Sequence, residues 1–235
     1  MISFVVPAHN EERLLGATLD AIHAAARAVG QPYEIVVAND TSTDNTASVA
    51  RTHGARVVDC QHRQIARVRN AGARASTGDV LIFVDADTLI SAAVVRASLA
   101  AIEQGAVGGG AALQLEGRLP WWGPALVWGT FRWMRVMRWA AGCYVFCTRA
   151  AFDATGGFDE QLFATEEIAF SRALKRNGRV VILREGVITS GRKMRTHALR
   201  EFFPVWGGVF PHGTAALRKR EGLSVWYGER KDDER

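Results

Sequence analysis

Two aspartates one residue apart close an apolar run in the segment DVLIFVDADTL, residues 79–89. Val80 to Val84 have the β-branched and aromatic character of a buried strand, and Asp85 and Asp87 follow at once. In an extended chain, residues two apart point to the same side, so both carboxylates can face one cation. So few hard oxygen donors suit Mg2+ or Mn2+, whose remaining positions are filled by water and by a ligand's phosphate oxygens. The plain alternative is a pair of solvated turn residues. A second acidic pair, Glu166 and Glu167, opens the helix-like segment TEEIAFSRALKRNG, where carboxylates are favoured electrostatically whatever else they do. The turn PAHNEE brings Pro7, Ala8, His9, Asn10 and Glu11 together, and a flat His9 ring there can stack on a base. Asp40, at the end of YEIVVAND, can accept from a base imino group. Their plain alternatives are an ordinary turn residue and an Asx turn.

The elements around these residues alternate. ISFVVPA reads as a strand, Leu15, Leu19, Ile22, Ala26 and Val29 recur at helical spacing up to Gly30, and YEIVVAND is the next strand. A helix after TSTDNT closes at Gly54, ARVVDC is a short strand, QIARVRNAGARAS a helix and DVLIFVDAD the fourth strand. Repeated βαβ units imply a mainly parallel sheet flanked by helices, with ligands beyond the carboxyl ends of the strands, where PAHNEE, NDTSTD and DAD fall. The second half is less regular: SAAVVRASLAAIEQG is a helix, VGGGAALQLE a strand, the Trp-rich segment from Trp121 a helix, and CYVFCT a strand. A short helix ending at a Gly pair, the TEEIAF helix and the strand RVVIL follow. The first turn has no GxGxxG, VGGGA lacks its strand–turn–helix setting, and there is no Walker lysine.

At 235 residues and 48% hydrophobic content, one domain is expected. The formal charge of +5 comes without a long basic block, so nucleic acid is not indicated, while anionic substrates or anionic lipid would suit. Cys60, Cys143 and Cys147 form no CxxC pair, which points to a reducing compartment. The start MISFVVPAHNEE has no signal-peptide pattern, so a cytoplasmic protein is expected. Between Leu119 and Gly142, Arg132, Arg135 and Arg138 interrupt the apolar run, so it should not cross a bilayer. On a helical wheel Trp122, Leu126, Trp133 and Met137 share one face, expected in the core. Trp121, Trp128, Arg132, Arg135 and Trp139 share another, expected at a membrane interface, around an amphipathic acceptor, or stacked inside the domain.

Five blocks in order, FVVPAHNEE, EIVVANDTSTDNT, ARVRNAGARASTGDVLIFVDADT, GGFDE and TEEIAFSRALKRNG, resemble the family 2 glycosyltransferases, nucleotide-sugar enzymes of the GT-A fold. The resemblance covers roughly residues 1 to 185. It implies an α/β GT-A domain over 1–190, with 1–115 as nucleotide-binding half and 116–190 as acceptor-side half, and a helical tail over 191–235 on or near the active site. Pro7, Ala8, His9 and Glu11 would border the nucleoside, Asp40 would bind the base, and Arg69 would lie near the base or diphosphate. Asp85 and Asp87 would serve the metal and ribose. The plain alternative for Arg69 is an exposed helix charge.

His9 stands where the family more often has Tyr, Asn39 where Asp is usual, and Thr88 where a third Asp is frequent. In the family's late acidic dipeptide the second member is the base; here that is Glu167, with Glu166 second. No His matches the usual metal ligand after the last strand. VITSGR offers Ser190, then Arg192 and Lys193 as partners for the diphosphate, with His197 or His212 as alternatives.

The expected activity is inverting transfer of a sugar from a nucleotide diphosphate sugar, UDP ahead of GDP, to a hydroxyl acceptor, with Mg2+ or Mn2+ as cofactor. A lipid-linked acceptor and peripheral membrane contact go with the interfacial reading of the Trp-rich helix. The rivals are an inactive nucleotide-binding, membrane-docking protein and a sugar nucleotidyltransferase. The latter lacks its Gly-rich loop here.

Overall fold

The computed structural model of the protein describes residues 1–117 and 123–192, apart from the side chains of 124–127. In chain order the elements are β1 (Ile2–Ala8), α1 (Leu15–Val29), β2 (Tyr33–Asp40), α2 (Thr46–Thr52), β3 (Arg56–Cys60), α3 (Ile65–Ala75), β4 (Val80–Val84) and β5 (Thr88–Leu89). After them come α4 (Ala92–Glu103), β6 (Ala106–Glu116), α5 (Gly123–Met137), β7 (Tyr144–Thr148), α6 (Arg149–Thr155), α7 (Glu166–Asn177) and β8 (Arg179–Ser190).

The strands form one sheet in the order β3-β2-β1-β4-β7-β6-β8-β5. β1 is parallel to β2 and β4, and β2 to β3; β7 then runs antiparallel to β4 and β6, and β8 parallel to β6. Every residue of β1 is buried, as expected of a parallel strand covered on both faces. Pro7 is tolerated because β1 pairs with β4 only as far as Val5 opposite Phe83. The chain fills β1, β2 and β3 outward, then returns to the other side of β1 for β4. That reversal opens a crevice at the carboxyl ends of β1 and β4.

Two faces of the sheet carry separate cores. α1 buries Leu15, Leu19, Ile22 and Ala26 against Phe4, Val6 and Val84, and stops where Gly30 takes φ 75 and donates to Ala26 O. α3 lies against the other face, where a Cβ on Gly72 would fall 2.5 Å from Val5 Cγ1, so the helix approaches only because that residue is glycine. Gly108 to Gly110 lie inside β6 between β7 and β8, which gives the glycine run a packing role and no place in a phosphate loop.

The structure changes three expectations. Asp85 and Asp87 do not continue a strand: β4 ends at Val84 and a turn closed by Thr88 N donating to Asp85 O, 3.1 Å, carries both, so the period-two argument does not apply. β8 runs seven residues beyond RVVIL to Ser190, through the polar stretch Arg184-Glu185-Gly186, because β6 supplies a partner along its length.

The third change concerns α5. Trp133, expected in the core, is 47% exposed, while Trp139, expected at an interface, around an acceptor or stacked inside the domain, is buried. The helix ends at Met137 and Arg138 takes φ 50, which removes Trp139 from the wheel and folds it under Arg172, 4.8 Å from guanidinium carbon to ring centroid. Trp121, Trp122, the Leu126 side chain, Lys193, His197, His212 and the rest of the 191–235 tail beyond Arg192 lie outside the described residues.

Candidate active site

Three strand ends bring the polar residues together. Beyond β1, the His9 ring donates from Nδ1 to Asp40 O at 2.6 Å, which ties the first turn to the end of β2. Asn10 takes φ 50 and Thr41 φ 53, and the two turns are cross-linked by Asn10 N to Ser42 Oγ, 3.0 Å, and Thr43 N to Asn10 Oδ1, 2.8 Å. Left-handed backbone at a β-branched residue such as Thr41 is costly, of order 1–3 kcal/mol, and such strain gathers at functional sites. Asp40 is buried and accepts from His62 N at 2.8 Å. Asn39 donates to Asp59 Oδ1 at 2.7 Å, and its own Oδ1 is buried without a partner among the described residues.

Glu11 is buried, its N–H donating to Thr46 Oγ1 at 2.8 Å. Its carboxylate accepts from Arg192 Nη2 at 3.2 and 3.5 Å, and the same nitrogen stands 3.9 Å from Asp87 Oδ2. Arg192, at the end of β8, thus bridges the first turn and the Asp85–Asp87 turn. Thr189, which also reaches Asp87 at 3.4 Å, completes that edge.

Arg69 is the centre of the site. Its guanidinium donates through Nη1 to Glu166 Oε1 at 2.5 Å, and through Nη2 to Asp85 Oδ1 and Gly142 O, both at 2.9 Å. It also lies 5.3 Å over the Phe158 ring, and its Nε is buried with no hydrogen-bond partner among the described residues. Only 3% of the side chain is exposed, so the exposed-charge alternative is excluded. Burial alone would lower its pKa, but Asp85, Glu166 and Glu167 outweigh that and hold it above the ordinary value.

The two acidic pairs differ in surroundings. Asp85 and Asp87 keep 31% and 17% of their side chains accessible, beside the guanidinium groups of Arg69 and Arg192 respectively. Glu166 is buried against Arg69. Glu167, one residue on, has its carboxyl pushed up to about 8, first by burial and then by the neighbouring Glu166 charge. Thr165 before them takes φ 60, and its buried hydroxyl finds no partner, so the start of α7 is also strained.

Supporting residues were not evident from the sequence. Asn70 donates to Phe158 O and accepts from Phe158 N, both at 2.9 Å, and Gln64 Nε2 donates to Glu160 O and Leu162 O at 2.7 and 2.9 Å. Together they fix the GGFDE loop that leads into α7. The RN pair of ARVRNAG was the available signal: both side chains turn inward from α3. Gly142 is needed because a Cβ there would meet Arg69 Nη2 at 3.1 Å and stand 3.7 Å from the Glu167 carboxyl carbon.

Among the described residues no group of three His, Cys, Asp or Glu side chains converges on one point. The donor set nevertheless fits a hard divalent ion bound mainly through its substrate: Asp85 and Asp87 are accessible oxygen donors on a turn facing the crevice, and water and phosphate would supply the rest.

Comparison with known proteins agrees with this architecture. Validoxylamine A glucosyltransferase from Streptomyces hygroscopicus subsp. limoneus is 33% identical over 108 residues, 43% of this chain but 23% of that protein, so the match spans under a quarter of the relative's length. A mannosyltransferase from Pyrobaculum calidifontis, solved with GDP-Man and Mn2+, superimposes with a TM-score of 0.64 at 19% identity, over 96% of this chain and 72% of that one. Glucosyl-3-phosphoglycerate synthase from Mycobacterium tuberculosis, solved with Mn2+, uridine diphosphate and glucosyl-3-phosphoglycerate, gives 0.62 at 21% identity, over 89% and 77%. These likenesses establish the GT-A glycosyltransferase fold. The profile for Glycosyl transferase family 2 matches residues 3–154, which include the first turn, Asp40, Arg69 and the Asp85–Asp87 turn, and the chain belongs to that family.

Proposed function

We propose that this protein transfers a sugar, with inversion, from a nucleoside diphosphate sugar to a hydroxyl acceptor, and that Glu167 is the base. The observation that carries the reading is the split between the acidic residues. Glu166 is committed to Arg69, whereas Glu167 sits in surroundings that raise its proton affinity. A base works best with a pKa near the working pH, and a carboxylate tied to a guanidinium is a poor one. Glu167 takes the acceptor proton as the new bond forms.

On the donor side, Pro7, Ala8, His9 and Glu11 shape the nucleoside wall and Asp40 faces the base. Uridine is preferred to guanosine on the family resemblance. Asp87 and Asp85 would hold Mg2+ or Mn2+, which neutralises charge on the leaving diphosphate. Arg192, already between Glu11 and Asp87, is placed to share that charge, with Lys193 beside it in sequence. Arg69, near the base or diphosphate by the resemblance, also holds Asp85 and Glu166 in fixed relation. Residues 1–190 form the transferase domain, with the nucleotide half to 115 and the acceptor half from 116. The three cysteines are free and buried, in keeping with a cytoplasmic setting.

Incubating the purified protein with UDP and GDP sugars and Mn2+ should release the nucleoside diphosphate, slowly without acceptor. The Asp87→Ala variant should lose metal-dependent donor binding at near wild-type thermal stability. Undiminished Mn2+-dependent donor affinity in Asp87→Ala would overturn the donor site. Absence of turnover with every sugar nucleotide, despite tight binding, would favour the inactive nucleotide-binding reading.

A further inference from the structure

A second charged region lies behind the active site, on the side formed by α5, α7 and the start of β8. A cleft of about 240 Å3 is lined by Arg135, Arg138 and Arg179, with Val180 to Ile182 of β8 as its floor. Lys175 and Arg172 of α7 stand beside it: Lys175 Nζ donates to Met137 O, and Arg172 covers the Trp139 ring. Arg179 Nη2 donates to Gln104 O at 2.7 Å. Among the described residues none of these five cations makes an ion pair with a carboxylate. The Lys175 ammonium is driven below its usual pKa, first by burial and then by Arg138 and Arg172, as expected where positive charge has accumulated uncompensated. Glu167 is eight residues from Lys175 along α7, roughly 12 Å, so the lysine end of this cluster lies apart from the catalytic carboxylates.

The neighbouring surface of α5 mixes large exposed apolar side chains with exposed arginines. Trp128 is 68% exposed, Trp133 47% and Val136 70%, and the Arg132 guanidinium lies 5.8 Å over the Trp128 ring. Exposed tryptophan beside arginine, next to an uncompensated cationic cleft, matches the interfacial layer of a bilayer, apolar at one depth and phosphate-rich at the next. A small soluble anion would account for the arginines but not for the tryptophans. None of the helices among the described residues is long and apolar enough to cross a membrane, so contact would be lateral.

We propose that this cleft binds the phosphate of an anionic phospholipid headgroup while Trp128, Trp133 and Val136 seat α5 at the bilayer surface. This goes beyond the transfer reading and does not rest on it, since vesicle binding needs no donor. The full chain should co-sediment at low salt with vesicles of phosphatidylcholine mixed with phosphatidylglycerol and not with phosphatidylcholine alone. At about 1 kcal/mol per cation near the surface, Arg135→Gln with Arg138→Gln should weaken binding roughly 30-fold. The exposed control pair Arg27→Gln with Arg51→Gln should change it less than about two-fold, since those cations lie away from the surface. Trp128→Ala should also weaken binding, without altering the charge. Unchanged thermal unfolding in all variants is the check on folding. Equal losses in the control pair would reduce the effect to net charge and overturn the site, as would failure of the wild type to bind anionic vesicles. A tryptophan fluorescence response to inorganic phosphate without vesicle binding would assign the cleft to a soluble anion and equally overturn the proposal.

Discussion

The site contains two acidic pairs that share one cation and differ in nearly everything else. Asp85 and Asp87 sit on an accessible turn between two arginines, where negative charge is easily kept and can be lent to a cation. Glu166 and Glu167 open a helix under the same Arg69, but burial and mutual repulsion make one of them hold a proton. On the proposed mechanism, carboxylates of like intrinsic acidity take opposite work, charge holding and proton acceptance, by environment alone. Arg69 is the hinge of the comparison because it touches both pairs.

The comparison breaks first if Glu167 is not the base. Glu167→Gln should lower turnover by about 10² to 10⁴ while donor affinity stays near wild type, and Glu166→Gln should cost less, as measured by steady-state transfer and donor binding. Next in size is the shared cation. Arg69→Leu leaves Asp85 and Glu166 facing each other without compensation, so denaturant unfolding should show a loss of about 3–5 kcal/mol, together with weaker donor binding.

A smaller effect concerns stability against pH. The Glu167 carboxyl has a folded pKa of about 8 against an ordinary value of 4.5, so the folded chain keeps a proton that the unfolded chain releases. Its favourable contribution is complete below about 4.5 and is lost as pH rises to about 8. Glu167→Gln should therefore gain thermal stability relative to wild type above pH 8, and show no such gain near pH 4. The smallest expected change is remote: Ser91→Ala removes the N-cap of α4, whose Oγ accepts from Val94 N at 3.5 Å. That should cost about 1 kcal/mol or less, with transfer unchanged.

Much of this arrangement was legible in the order of residues. Strand–helix alternation gave β1 to β4, and polar clusters marked the crevice because side chains at strand ends have few other places to go. Arg69 was singled out by the resemblance, but its link between the two acidic pairs was not legible: its partners lie 16 and 97 residues away, and nothing local distinguishes a buried guanidinium from a solvated one on α3. The wheel could not decide between the exposed and buried readings of Trp139 because it assumes the helix continues, and a single left-handed residue at Arg138 ended it. The length of β8 was hidden by Arg184-Glu185-Gly186, which reads as a turn until a partner strand with a register shift is known. The inequality of Glu166 and Glu167 likewise depends on what packs around α7.

The pH dependence of kcat/KM in wild type, Glu167→Gln and Glu166→Gln separates the two carboxylates of α7. With Glu167 as the proposed base, transfer requires it ionised, so the wild-type rate should rise with pH and level off above about 8, the Glu166→Gln variant should keep a rising limb, and Glu167→Gln should lose it along with most of its activity. A wild-type profile flat from pH 6 to 9, or a rising limb with full turnover in Glu167→Gln, would contradict the assignment of proton acceptance to Glu167.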